Sequence, residues 1–296
     1  VVDSHEMGSD DTFFFPPEAQ PLNPWIHPRT LENRALFGRA TAARFDQAGL
    51  GYFTGKVFDA FYPGYGDGWP GYLGAVSMTY EQASSRGLAA RRTSGEVFTY
   101  ADTVRGHLTA SLATIETASR NRERLLNDFH AYHVDGAAGR GAYLISRAGD
   151  ASAADRLAGL LVRQGVEVGR ARTAFAACGK TYQAGDYVVN LAQPQRRMAE
   201  VLMNPDVPLD PAFLAEQERR RARGLGDEIY DVTAWSLPLM AGIEAPRCAA
   251  APAVAVEARG PEFFDAVPVT APDAAWGYLV APGDAGLHFL TAALRA

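Results

Sequence analysis

The residues best able to do chemistry lie in three short stretches, VVDSHEMGS at 1–9, FYPGYGDGW at 61–69 and MTYEQ at 78–82. The first carries His5 beside Glu6, the second the phenols of Tyr62 and Tyr65 with Asp67 and Trp69, and the third an apolar run closing on Glu81. An imidazole, a phenolic hydrogen-bond donor and a carboxylate are the groups that metal-assisted hydrolysis needs. A metal-bound water falls to a pKa of about 7, and a neighbouring carboxylate can take its proton and pass it on. A single histidine at a strand end is more commonly structural. Its setting adds weight, because polar residues at strand ends beside long loops are where α/β folds place their sites. Glu81, at the end of a hydrophobic strand, needs a partner or a function, since an apolar setting penalises an unpaired carboxylate.

These residues need elements to hold them. Val1-Val2 reads as the tail of a buried strand delivering His5. Pro16, Pro17, Pro21, Pro24 and Pro28 keep residues 16–28 extended or turned, which predicts a long ordered loop of the kind that usually serves function. Residues 29–49 read as a helix capped by Thr30, with Leu31, Leu36 and Phe45 as apolar positions and Gly49 as its stop. After the turn-rich 61–74, AVSMTYEQ reads as a buried strand presenting Glu81 at its end. From Thr99 to about Phe129 a helical period recurs, with Val104, Leu108, Leu112, Ile115, Leu125 and Leu126 as its candidate apolar face.

GAAGRG at 136–141 signals a boundary between a domain over 1–130 and another over 136–296. Beyond it come a strand at AYLIS, a helix over ADRLAGLLVRQ capped by Asp150 or Ser152 and stopped by Gly165, and a strand at VEVGRA. This is the strand-helix-strand unit from which parallel sheets are built. YVVN with RRMAEVLM, and WGYLVAPGDAGLHFLTAAL near the end, repeat the theme. A strand already under way at Val1 and helical residues at Ala296 lead us to expect a chain cut at both ends.

Composition sets bounds. With 47% hydrophobic and 10% aromatic residues over 296 positions, the chain can fill two cores, so the expected class is α/β. A net charge of −6 with scattered basic residues argues against nucleic acid. No apolar run approaches the eighteen or so residues that read as a membrane span. Cys178 and Cys248 are too few for a disulfide framework and lack metal-ligand spacing, so they leave the redox compartment open. No Gly-x-Cys-x-Gly turn surrounds Cys178. His130 and His133 share a helix side without a third ligand and read as a solvated helix end, His27 reads as structural, and Trp235 reads as packing.

In order and content, DSHEMG, FYPGYGDGW and MTYEQ resemble the carboxypeptidase A-like zinc metallocarboxypeptidases over roughly residues 1–120. DSHEMGS and FFFPPEAQPLNP resemble a bacterial branch of that family. The resemblance implies the rear half of a carboxypeptidase-like mixed-sheet α/β domain. It makes His5 a ligand of a Zn2+ cofactor, Glu81 the general base and acid, and Tyr62 the substrate-binding tyrosine, with Tyr65 close enough to take that part. Glu6 is either an acceptor for the imidazole's other N–H or a plain loop charge.

The family's other two zinc ligands, from a His-x-x-Glu motif, and its Asn-Arg pair for the substrate carboxylate are expected upstream of Val1. No His-x-x-Glu occurs here, and Asn33-Arg34 follows His5 rather than preceding it. The implied parent is a periplasmic or secreted peptidase cleaving a C-terminal peptide or related amide substrate, with these 296 residues inactive alone. Residues 136–296 resemble the flavodoxin-like class I glutamine-amidotransferase fold without its Cys-His machinery. The competing expectation is a non-catalytic binding protein built on a peptidase fold.

Overall fold

In the computed structural model of the chain, the described residues are 1–228 and 235–265 together with 276, 287 and 292. The strand and helix expected over 276–294 lie outside them. The fold is mixed α/β. Its elements are β1 Val2–Met7, β2 Phe13–Phe14, β3 Ala19–Leu22, α1 Pro28–Ala48, β4 Asp59–Ala60, β5 Met78–Ala83, β6 Ala89–Arg91, β7 Val97–Thr99, α2 Tyr100–Arg120 and α3 Arg122–Ala137. There follow β8 Ala142–Ile145, α4 Ala151–Arg163, β9 Gly169–Ala171, β10 Phe175–Ala177, β11 Lys180–Tyr182, β12 Tyr187–Asn190 and α5 Arg196–Met203. Last come α6 Pro211–Ala222, α7 Leu237–Ala241, β13 Arg247–Cys248, β14 Val256–Ala258 and α8 Pro261–Asp265. Two compact units form, Val1–Tyr132 with Val207–Ala234, and His133–Asp206 with Trp235–Ala296. The first is thus discontinuous in sequence, with α6 among its elements.

The first unit centres on a three-stranded sheet ordered β1-β5-β2, in which β1 runs parallel to β5 and β2 antiparallel to it. Side chains alternate across a sheet. Phe13, Phe15, Met78 and Tyr80 therefore share one face, where they meet Phe37 and Phe45 of α1 and Ala110 of α2 in a buried core. Asp3, His5, Thr79 and Glu81 take the other face. His5 lies inside β1 and Glu81 inside β5, rather than at the strand ends expected from sequence. Pairing with β5 extends the first strand past the histidine to Met7, which makes β1 an exposed sheet edge and not a buried strand.

Helix α1 starts earlier than Thr30. Pro28 occupies its first turn and the Nδ1 of His27 accepts the Arg29 amide at 3.1 Å, while Gly49 closes the helix at φ 63°. The expected long helix breaks at Asn121 into α2 and α3. Most of its expected apolar face is turned outward, with Val104 45%, Leu108 55%, Leu112 44%, Ile115 65% and Leu126 69% exposed, whereas Leu125 packs against the core. Thr103, Gly106, Ala110, Ala113 and Thr117 face inward instead. Crowding explains the inversion, since a Cβ on Gly106 would collide with the side-chain oxygen of Gln82 on β5.

In the second unit a five-stranded sheet runs β13-β8-β12-β9-β14, and all its ladders are antiparallel. The strand-helix-strand reading expects β8 and β9 to pair in parallel. The buried Tyr187, Val188 and Val189 of β12 take the place between them. Asp150 caps α4 as expected, its carboxylate accepting the Ala153 amide at 2.8 Å. Trp235 donates to the Val201 carbonyl at 2.9 Å, a packing role. Cys178 and Cys248 are joined as a disulfide. No described helix is long and apolar enough to cross a membrane.

Gly38 of α1 lies against the Pro16 carbonyl with no space for a Cβ. Although alanine is the better helix former, Gly38→Ala should destabilise the protein by about 1–3 kcal/mol through the forced shift. Urea unfolding of the two proteins measures this, and an unchanged or raised midpoint would contradict the packing described.

Candidate functional site

The parallel register of β1 and β5 sets Asp3 opposite Thr79 and His5 opposite Glu81. These side chains emerge into a cavity of about 130 Å³ that is also lined by Phe14, Glu18, Phe58, Asp59, Tyr65 and Asp67. Phe14 reaches it from β2, opposite Glu81, and its ring packs on Phe58 at 4.8 Å between centroids, giving one aromatic wall. Asp3, Glu18, Asp59, Asp67 and Glu81 bring carboxylates to the rest, beside His5, Tyr65, Gly66 and Thr79.

His5 is the imidazole of this cavity and its side chain is 54% exposed. Its Nε2 lies 3.1 Å from Asp3 Oδ1. Nδ1 stands 3.8 Å from Glu81 Oε1, too far for a direct hydrogen bond. The imidazole therefore has a carboxylate near each ring nitrogen and offers one donor to the cavity. On the opposite side of the strand His107 of α2 hydrogen-bonds the His5 backbone. Glu6, the other sequence candidate for holding the ring, instead accepts from the Ser84 hydroxyl at 2.9 Å.

Burial pushes the Glu81 carboxyl above the usual carboxylate range, with His5 opposing the shift and Asp3 and Asp67 adding to it. That suits a group that must take and return a proton near neutral pH. Tyr65 lines the cavity. Tyr62 does not, its ring lying edge-on against that of Tyr65 with 5.1 Å between centroids. Among the described residues no group of three or more His, Cys, Asp or Glu side chains is gathered to hold a metal ion, so the chain itself offers His5 as a single imidazole donor. His130 and His133 both lie on α3, and His130 is exposed.

The loop carrying Tyr65 and Asp67 is anchored from beneath. Arg34 of α1, 1% exposed, places Nη1 2.9 Å from Glu18 Oε1 and donates from Nη2 to the Asp67 carbonyl at 3.2 Å and the Ser77 hydroxyl at 3.4 Å. Ser77 donates to the same Asp67 carbonyl. Gly66 then meets Asp3, whose carboxylate leaves no room for a Cβ. Asn33 serves structure, donating to Asp128 at 3.0 Å. Sequence reading missed Asp3, although its place two residues before His5 puts it on the same strand face. Glu18 and Arg34 carried no local signal; they meet through the fold.

Burial raises the Glu18 carboxyl and Arg34 opposes that rise. Arg34→Met should cost about 3–5 kcal/mol at pH 7, because it strands a buried carboxylate. That cost should shrink as pH falls through the raised Glu18 value, since a protonated Glu18 needs no cation. Glu18→Gln removes the titrating carboxyl, so its cost should instead grow as pH falls through the raised Glu18 value, where protonation adds stability to the native protein alone. Denaturation of both variants from pH 5 to pH 8 tests this, and parallel pH profiles would refute it.

The chain matches no protein-family model, no curated protein and no solved structure.

Proposed function

We propose that the first unit carries one wall of the active site of a zinc-dependent peptide hydrolase of the carboxypeptidase A type, cleaving a C-terminal peptide or related amide bond. One observation carries the reading: His5 and Glu81 stand opposite each other on adjacent parallel strands, facing one cavity, with Asp3 beside the imidazole. The parallel β1-β5 pair also supports a partial carboxypeptidase-like sheet. The antiparallel sheet of the second unit lends no support to a flavodoxin-like reading of 136–296. The Cys178–Cys248 disulfide favours a periplasmic or secreted setting.

His5, whose imidazole faces the cavity beside Asp3 and Glu81, would hold the zinc. Bound zinc would supply an acidified water and an electrophile for the scissile carbonyl. Glu81 would take a proton from the attacking water and return it to the leaving amine, two roles that a raised carboxyl suits. Tyr65 is better placed than Tyr62 to donate a hydrogen bond to substrate. The aromatic wall of Phe14 and Phe58 gives the substrate an apolar contact and keeps water from one side. Catalytic zinc takes three protein ligands, and among the described residues His5 is the one this reading assigns.

The test is metal analysis of the protein and its turnover of blocked dipeptides. The protein should bind about one zinc. Glu81→Gln should keep that zinc and lose about 10²–10⁴-fold in kcat/KM. His5→Ala should lose the metal. Undiminished turnover in Glu81→Gln would remove Glu81 from the mechanism, and full zinc retention in His5→Ala would remove the histidine.

A further inference from the structure

Helix α2 presents an apolar ridge left exposed among the described residues. Tyr100, Val104, Leu108, Leu112 and Ile115 are each between 44% and 65% exposed, on the side away from its packing face. The first four are spaced by four residues, the ridge that interlocks with a like ridge in helix packing. We propose that a second copy of this chain covers it, by antiparallel two-fold pairing of α2 with α2.

The flanking charges support that occupant. Arg105 near the start of the helix and Glu116 near its end lie on one flank of the ridge, about 20° apart around the axis at 3.6 residues per turn. A two-fold axis at residue 110 sets Leu108 against the second copy's Leu112 and brings Val104 within about one residue of its Ile115. The same axis brings Arg105 within about one residue of the second copy's Glu116. Apolar and charged registers therefore agree on one dyad to within about one residue, the self-complementarity that an isologous interface requires. Both charges also have partners within the chain. Arg105 meets Asp102 only at 3.6 Å, and Glu116 holds Arg44 through Oε1 while its Oε2 reaches Arg120 at 3.6 Å. One helix face buries less than the roughly 800 Å² per partner of a standard interface, so the dimer should be weak, with Kd on the order of 10 µM.

Sedimentation velocity from about 1 to about 200 µM should show a reversible monomer–dimer equilibrium. Leu108→Glu with Leu112→Glu, both at exposed positions, should leave the helical circular dichroism unchanged and abolish the dimer. Exposed Ser111 lies beside the dyad, so Ser111→Cys should form a covalent dimer on mild oxidation. Ser119→Cys should not, because its two copies lie about 25 Å apart along the paired helices. A protein that stays monomeric throughout would overturn the proposal and leave the ridge to a different chain. Equal cross-linking at 111 and 119 would overturn the antiparallel register.

Discussion

The first unit depends on a guanidinium taken out of water. Arg34 is 1% exposed, and its fork joins the proline-rich loop at Glu18, the tyrosine loop at the Asp67 carbonyl and the entry to β5 at Ser77. Desolvating such a charge costs several kcal/mol, and an ion pair with Glu18 offsets that only when other donors are also used. The carbonyl and hydroxyl acceptors meet that condition. Three segments far apart in sequence are therefore held by one side chain, and the cavity exists because they are held.

The constraint passes to the chemistry by contact. Arg34 fixes Asp67, and the neighbouring Gly66 lies so close to Asp3 that no side chain fits between them. Asp3 in turn lies 3.1 Å from His5 Nε2, with Glu81 3.8 Å from Nδ1. The cavity is a product of the sheet and the loop together, with the strands supplying the spacing and the loop closing on Asp3.

How much of this could be read from the sequence differs residue by residue. His5 and Glu81 were legible, because each is a charged or titratable side chain in an otherwise strand-like run; their pairing needed the parallel β1-β5 register, which no local pattern encodes. Asp3 was within reach of the period of two and was passed over. The choice between Tyr62 and Tyr65 turned on loop conformation that glycines at 64, 66 and 68 leave undetermined by sequence. Periodicity failed outright on α2. It found the large apolar stripe correctly and assigned it inward, whereas close approach to Gln82 and to α1 admits only glycine, alanine and threonine there. In the second unit the strand-helix alternation was real, but alternation does not specify which strand lies between which, and the fully apolar face of β12 claimed the central position.

Electrostatics ties the buried pair to the open cavity. Asp3, Glu18, Asp59, Asp67 and Glu81 crowd one small space, against which the unit sets Arg34 and the imidazole of His5. Glu18 and Glu81 both hold their protons more tightly than ordinary carboxylates, for the same leading reason of burial, yet their situations differ. Glu18 has a permanent cation at 2.9 Å. Glu81 faces an imidazole 3.8 Å away. The two glutamates therefore differ in the group each faces: the Arg34 guanidinium, which also donates to the Asp67 carbonyl and the Ser77 hydroxyl, stands against Glu18, and the His5 ring against Glu81.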